Sequence, residues 1–157
     1  MRLILITGPP GAGKTSVLTA LADALSADDI PHAAVEVEAL AWTHPALDDE
    51  RRLAHVRTVC AGHDLVLVGE TIETEADLAA LLDAIGAEEA FVVRLEAAPD
   101  TLAKRIVARE PPDWEGTAAL VEHARTMPWV GGADLELSTE GARAEDIAAR
   151  IRQDARL

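Results

Sequence analysis

The sequence predicts an α/β fold: one domain, built on a five-stranded parallel sheet held between helices. Three observations predict it. Strand-length apolar segments alternate along the whole chain with longer segments of helical period, the pattern of a parallel sheet wrapped by its crossover helices. The chain has 157 residues, 49% of them hydrophobic, enough to bury one core and too few for two ordinary domains. The first strand candidate also runs straight into "GPPGAGKT", Gly8 to Thr15, a glycine-rich stretch placed to turn the chain from strand into helix.

Taken in order, the strand candidates are "RLILIT" (2–7), "HAAVEVE" (32–38), "DLVLVG" (64–69), "AFVVRLE" (90–96) and "ADLELS" (133–138). Helical segments are expected near 14–26, 48–61, 75–86, 99–109, 116–127 and 143–155. The "PD" at 99 and 100, and "TEGARAED" before the last segment, serve as helix-start signals. No internal repeat, low-complexity tract or linker interrupts the series, and the alanine richness favours helix without carrying a functional message. "MRLILIT" is only a strand's length of apolar residues and no run approaches the roughly 20 that span a bilayer, so a cytoplasmic protein is expected. The lone Cys60, in "VRTVCAG" at a helix end, cannot form an internal disulfide and reads as a buried structural thiol.

Charge excludes some partners. Asp and Glu number 28 against 14 Lys and Arg, a formal net charge of −14. Such a surface repels nucleic acid and anionic membranes unless a local basic patch overrides it, and no Lys/Arg cluster is visible. A small-molecule partner is expected, with the chain a monomer or weak homodimer. The five histidines, at 32, 44, 55, 63 and 123, show no ligand spacing, so no zinc site is expected.

"GPPGAGKT" fits G-x-x-x-x-G-K-[ST] completely, between a buried strand and a helix where phosphate binding requires it. Gly8, Gly11 and Gly13 let the backbone curl so that successive N–H groups, through Ala12 to Ser16, face phosphate oxygens, and the helix opening at Lys14 adds its positive end. Lys14 reaches the β- and γ-phosphates of ATP and the Thr15 hydroxyl ligates Mg²⁺ in this reading.

With that motif in place, the chain resembles, over essentially its whole length, the small P-loop kinases of the group containing adenylate, shikimate and gluconate kinases. A second anchor is "TLAKRIVARE" (101–110), which sets Arg105 and Arg109 one helical turn apart on one face. In the adenylate kinase-like enzymes an R-x-x-x-R pair of this kind opens a lid. The resemblance implies that Arg105 stacks on adenine or meets the phosphates, that Arg109 stabilises the transferring phosphoryl group, and that adenine also rests on the loop "STEG" (138–141). The bland alternative is a solvated basic face with Arg109 paired to Glu110 or another acid. "PPDWEGTAALVEHARTMPWVGG" then resembles a mobile helical lid, at about 105–130, that excludes water from the transfer. Arg125 reads equally as a lid arginine or a surface residue; Trp114 and Trp129 read as packing residues.

Phosphoryl transfer also needs a carboxylate, to hold Mg²⁺ through water or to accept the acceptor's hydroxyl proton. Several kinases of this group end the second strand in Asp; here that segment reads "VEVEALAW". Period-two alternation puts Glu36 and Glu38 on one strand face, and Glu38, at the carboxyl end where α/β ligands bind, is the first choice. "LVGETIE" puts Glu70 where a Walker B acid stands. The division of labour among Glu36, Glu38 and Glu70 stays open, and a solvated or salt-bridged acid is the alternative for each.

The resemblance is less complete at the acceptor. Nucleoside monophosphate kinases grip their anionic acceptor with arginines, one typically after the third strand, but "GETIETEAD" offers four carboxylates and no base. Between residues 32 and 90 the only Lys or Arg are Arg51, Arg52 and Arg57. An ATP-dependent kinase acting on a hydroxyl of a neutral or cationic small molecule is therefore expected, as in the small-molecule and antibiotic phosphotransferases of this group. Trp42 and His44 of "AWTHPALDDERR" either line that pocket or merely pack and face solvent. Two other readings are a nucleoside monophosphate kinase gripping through Arg51, Arg52 and Arg57, and a non-catalytic ATP-binding module or slow NTPase switch. A guanine-reading N-K-x-D signal is missing.

Overall fold

Five parallel strands in the order β2-β3-β1-β4-β5 make the sheet of the computed structural model, which describes residues 1–41, 47–128 and 130–157. The strands are β1 (Arg2–Thr7), β2 (Ala33–Glu36), β3 (Leu65–Gly69), β4 (Glu89–Glu96) and β5 (Leu135–Ser138). The helices are α1 (Lys14–Ala27), α2 (Asp49–Cys60), α3 (Glu75–Ile85), α4 (Pro99–Arg109), α5 (Thr117–Thr126) and α6 (Ala144–Ala155). The readings of Trp42, His44 and Trp129 fall outside the described residues.

β1 is central, pairing with β3 on one side and β4 on the other, and its residues 3 to 6 are fully buried. That is why "LILI" shows no alternation: a strand covered on both faces is apolar throughout. Ile4 and Ile6 face a core with Leu21 and Leu25 of α1, Ile106 of α4 and Ile151 of α6. Leu3 and Leu5 face the second core, with Val56 of α2 and Leu81 and Ile85 of α3. Cys60 closes α2 inside this second core, as a small hydrophobe whose burial pushes the thiol pKa up. No described helix is long and apolar enough to cross a membrane.

Local chemistry accounts for the ends. Asp48 accepts the Arg51 N–H at 2.9 Å to cap α2, and Thr74 and Asp77 form a reciprocal capping box on α3. Pro99 takes the first turn of α4, where its missing N–H costs nothing. The "TEGARAED" signal works differently from expectation. Arg143, without a side-chain cap, precedes α6, while the Glu140 carboxylate reaches the start of α4, accepting from Ala98 N at 3.2 Å and Thr101 Oγ1 at 2.6 Å.

One boundary matters for the site. β2 ends at Glu36, and Glu38 opens a 3₁₀ turn, Glu38–Ala41. Alternation therefore does not relate Glu36 to Glu38 as two residues of one strand.

The turn after β1 is pressed into the core. A Cβ on Gly8 (φ +147°) would run into the Leu95 carbonyl oxygen of β4, whereas Gly62 (φ +85°) opens onto empty space. Gly8→Ala is expected to cost about 3 kcal/mol and Gly62→Ala about 1 kcal/mol, measured by urea unfolding. Equal costs would mean that the turn is not held against β4.

Candidate functional site

The sheet's C-terminal edge carries the loop 8–13, whose three glycines all have positive φ. Gly13, left-handed at φ 95°, precedes α1 directly, so the first N–H groups of that helix have no partner within it. A Cβ on Gly11 would lie 2.9 Å from the Leu102 carbonyl oxygen, a second close approach only glycine permits. Lys14 is buried, 8% exposed, and its Nζ donates to the carbonyls of Gly8 (3.0 Å) and Pro9 (3.5 Å). Burial lowers its pKa, outweighing the Glu38 carboxylate 3.8 Å away.

These residues open onto a cavity of about 800 Å³. Gly11, Gly13, Lys14, Thr15 and Ser16 form one wall, with Glu36, Glu38 and Glu70 beside them and Arg105 and Arg109 above. The chain thus brings together most of the expected site residues. Gly8 and Ala12 are not on this wall: Gly8 backs onto β4, and Ala12 lies in the core with its N–H bonded to Pro9 O.

The three acids are sorted by position. Glu36 accepts from the Thr15 hydroxyl, the group expected to ligate Mg²⁺. Glu38 sits between Lys14 and Thr71, whose hydroxyl donates to it at 2.5 Å. Glu70 is 8% exposed and accepts from the Thr71 N–H at 2.9 Å; burial pushes its pKa up to about 7. The Glu36 contact was not foreseen, because it depends on β2 lying two strands from β1.

The arginines divide. Arg105 donates to the Gly11 carbonyl (3.2 Å), to Thr139 Oγ1 (2.8 Å) and to Thr139 O (2.9 Å), clamping the glycine loop to the loop 138–141. Arg109 pairs with Glu110 at 2.6 Å, the bland alternative, while still lining the cavity. Arg125 is outside it, 3.5 Å from Asp100, and borders a separate cavity of about 180 Å³.

The far wall holds Arg52, expected from sequence as part of an alternative acceptor grip, and residues to which no individual task was assigned. Arg52 and Leu53 come from α2, Glu73 and Asp77 from the start of α3, and Leu120 and His123 from α5. His123 Nε2 lies 3.3 Å from Glu73 Oε1, joining the expected lid helix to the opposite side of the cavity. Helical period gives 52/53 and 120/123 as faces, but not that the two faces meet. Among the described residues no three His, Cys, Asp or Glu side chains form a group that could hold a metal ion. One hydroxyl with carboxylates nearby instead suits Mg²⁺, which keeps several waters and takes its other ligands from phosphate.

No protein-family model matches the chain, and no curated protein matches its sequence. Solved structures do match the whole length. The APS kinase CysC of Mycobacterium tuberculosis, in complex with AMPPNP and APS, aligns with a TM-score of 0.72 at 17% identity, covering 99% of this chain and 98% of that one. The fold is that of a small P-loop kinase. A sugar kinase from Janibacter sp. aligns at TM-score 0.70 and 15% identity, covering 99% and 95% of the two chains. The tunicamycin resistance protein of Deinococcus radiodurans aligns at 0.63 and 20%, covering 99% and 96%. Within this kinase fold the glycine loop, Arg105 and the strand-end acids occupy one cavity.

Glu70 makes a stability prediction. Its folded pKa is about 7 against an ordinary value of 4.5, so between these pH values the folded state binds the extra proton and stability falls as pH rises. About 3 kcal/mol is lost across that window. Glu70→Gln is expected to flatten the decline in urea titrations from pH 4.5 to 8, leaving the variant more stable than the parent at pH 8. Parallel curves would place Glu70 in contact with water.

Proposed function

We propose that the chain is an ATP- and Mg²⁺-dependent phosphotransferase that moves the γ-phosphoryl group of ATP to a hydroxyl of a neutral or cationic small molecule. The observation that carries this reading is the continuity of one cavity. The strand–GPPGAGKT–helix turn lies at one end, and a mixed polar and apolar wall of α2, α3 and α5 lies at the other, with Glu38 between. Kinases among the structures of the same fold support the reaction class; acceptors named or implied by those structures differ, so the acceptor has to be read from this chain's own wall.

Each residue then has a task. Loop N–H groups and the start of α1 hold the triphosphate, and Lys14 turns from the Gly8 and Pro9 carbonyls onto its β- and γ-oxygens. A buried amine whose pKa burial lowers regains its proton preference beside phosphate, so its charge is used where the nucleotide is. Thr15 would hold Mg²⁺, with Glu36, which accepts from its hydroxyl, beside it; the ion, when bound, would neutralise charge on the phosphate oxygens. Glu38 accepts the proton of the acceptor hydroxyl as its oxygen bonds to the γ-phosphorus and ADP leaves. Arg109 exchanges Glu110 for the transferring group, while Arg105 and loop 138–141 seat the adenine. α5 closes the cavity against water.

The nucleoside monophosphate kinase reading rests on arginines of α2. Of the three, only Arg52 lines the cavity, and Asp49 holds its guanidinium at 2.8 Å. Arg51 turns to Asp48, 3.8 Å away. The grip on a dianion is accordingly weak.

The test is Mg²⁺-dependent ADP release, alone and with two panels: nucleoside monophosphates, and sugars, nucleosides and aminoglycosides. Stimulation by the second panel only is expected, and Lys14→Ala should lower it about 100-fold or more with an unchanged circular dichroism spectrum. Strong stimulation by one monophosphate would overturn the acceptor class, and full turnover in Lys14→Ala would overturn the loop's assignment.

A further inference from the structure

We infer that the acceptor carries an amine in addition to the hydroxyl that receives the phosphoryl group, and that Glu73 is the specificity residue that recognises it. This rests on the phosphotransferase reading above. Among the described residues, the half of the cavity away from the glycine loop has one fixed cation, Arg52, and Asp49 already holds it. Its acids are Asp49, Glu70, Glu73 and Asp77. Asp49 cancels against Arg52, and Glu70 is buried where its charged form is penalised. Asp77 is committed to the start of α3, accepting from the Thr74 N–H and hydroxyl at 3.0 and 2.8 Å. Glu73 is different. It is half-exposed toward the cavity, and its partner is an imidazole, His123 Nε2 at 3.3 Å, not a Lys or Arg.

An ammonium group can take the place of the imidazole on the Glu73 carboxylate: it has three donors and a fixed charge, and the carboxylate accepts them in a charge-assisted contact. Asp77 behind Glu73 adds negative potential without competing for the contact. The apolar side chains of Leu53, Leu81 and Leu120 line the same space and suit a carbon skeleton over a second charge. A carboxylate or phosphate on the acceptor would instead face Glu73 and Asp77 with no free cation opposite among the lining residues.

The experiment measures binding separately from turnover. Calorimetry in the presence of Mg²⁺ and AMPPNP compares matched pairs: glucosamine with glucose, kanamycin with trehalose, ethanolamine with ethylene glycol. Each amine is expected to bind roughly tenfold or more tightly than its neutral counterpart, and Glu73→Gln to abolish that preference. Asp83→Asn, the same charge change at an exposed position of the following helix α3, should alter it less than about twofold, separating recognition from attraction by the net charge. Preference for amines that survives Glu73→Gln, or no preference in any pair, overturns the inference. ADP release on the same compounds separates the two readings. Glu73-dependent amine binding without transfer upholds the inference against the transferase reading, and transfer to neutral acceptors that is indifferent to Glu73→Gln does the reverse.

Discussion

Everything at the site depends on how closely the glycine loop is packed against the sheet. Gly8 and Gly11 touch carbonyls of β4 and α4 at distances no side chain could share, so the loop is a buried turn whose backbone donors face outward. This packing also explains Lys14. Its side chain is buried at the first turn of α1, and its ammonium is desolvated beside the Gly8 carbonyl. A lysine so placed is costly unless an anion lies beside it. The binding energy of an anion is therefore concentrated at one point of the cavity.

The other loops are fixed to this one. Arg105 joins it to Thr139, Glu140 holds the start of α4, and the Thr7 hydroxyl accepts from Ile72 N at 3.2 Å to anchor the segment after β3. Three crossovers of the sheet thus meet through side-chain hydrogen bonds at its C-terminal edge. Parallel strands place all their βα loops there, which is why α/β sites form at that edge. α5 packs on the core through Ala124, Leu120 and Val121, and its outer face is tied by exposed contacts such as His123 with Glu73 and Arg125 with Asp100. Such pairs hold weakly, by well under the strength of the buried bonds beneath them.

The strand and helix series was legible because apolar period and caps are local. Five strands and six helices fall where period puts them, within a residue or two at the ends. The glycine turn from β1 into α1 was legible for the same reason, since its backbone is set within eight successive residues. Glu36 and Glu38 were not. Nothing in "VEVEAL" marks the strand's end after Glu36, neither glycine nor proline, and alternation was carried two residues too far. The far wall was illegible for a different reason. Arg52 and His123 lie on faces that helical period reveals, but their meeting with Glu73 requires the order β2-β3-β1-β4-β5, a long-range property that no local signal encodes.

The cavity is electrically divided along its length. Lys14, Arg105, Arg109 and the end of α1 make one part attractive to a polyanion. Glu36, Glu38 and Glu70 mark the boundary, and burial holds the Glu70 carboxyl up at a pKa of about 7. Past that boundary, among the described residues, the acids continue and Arg52, held by Asp49, is the one fixed cation. A polyanion entering the wrong part meets Glu73 and Asp77, and a cation entering the phosphate part meets Lys14. Under the proposed transfer, repulsion would separate the two substrates as much as attraction, a form of specificity that needs no close shape match. The acidic surface sharpens the contrast: in a chain of net charge −14, positive field is concentrated at one loop, where the burial of Lys14 and the clamp of Arg105 put it.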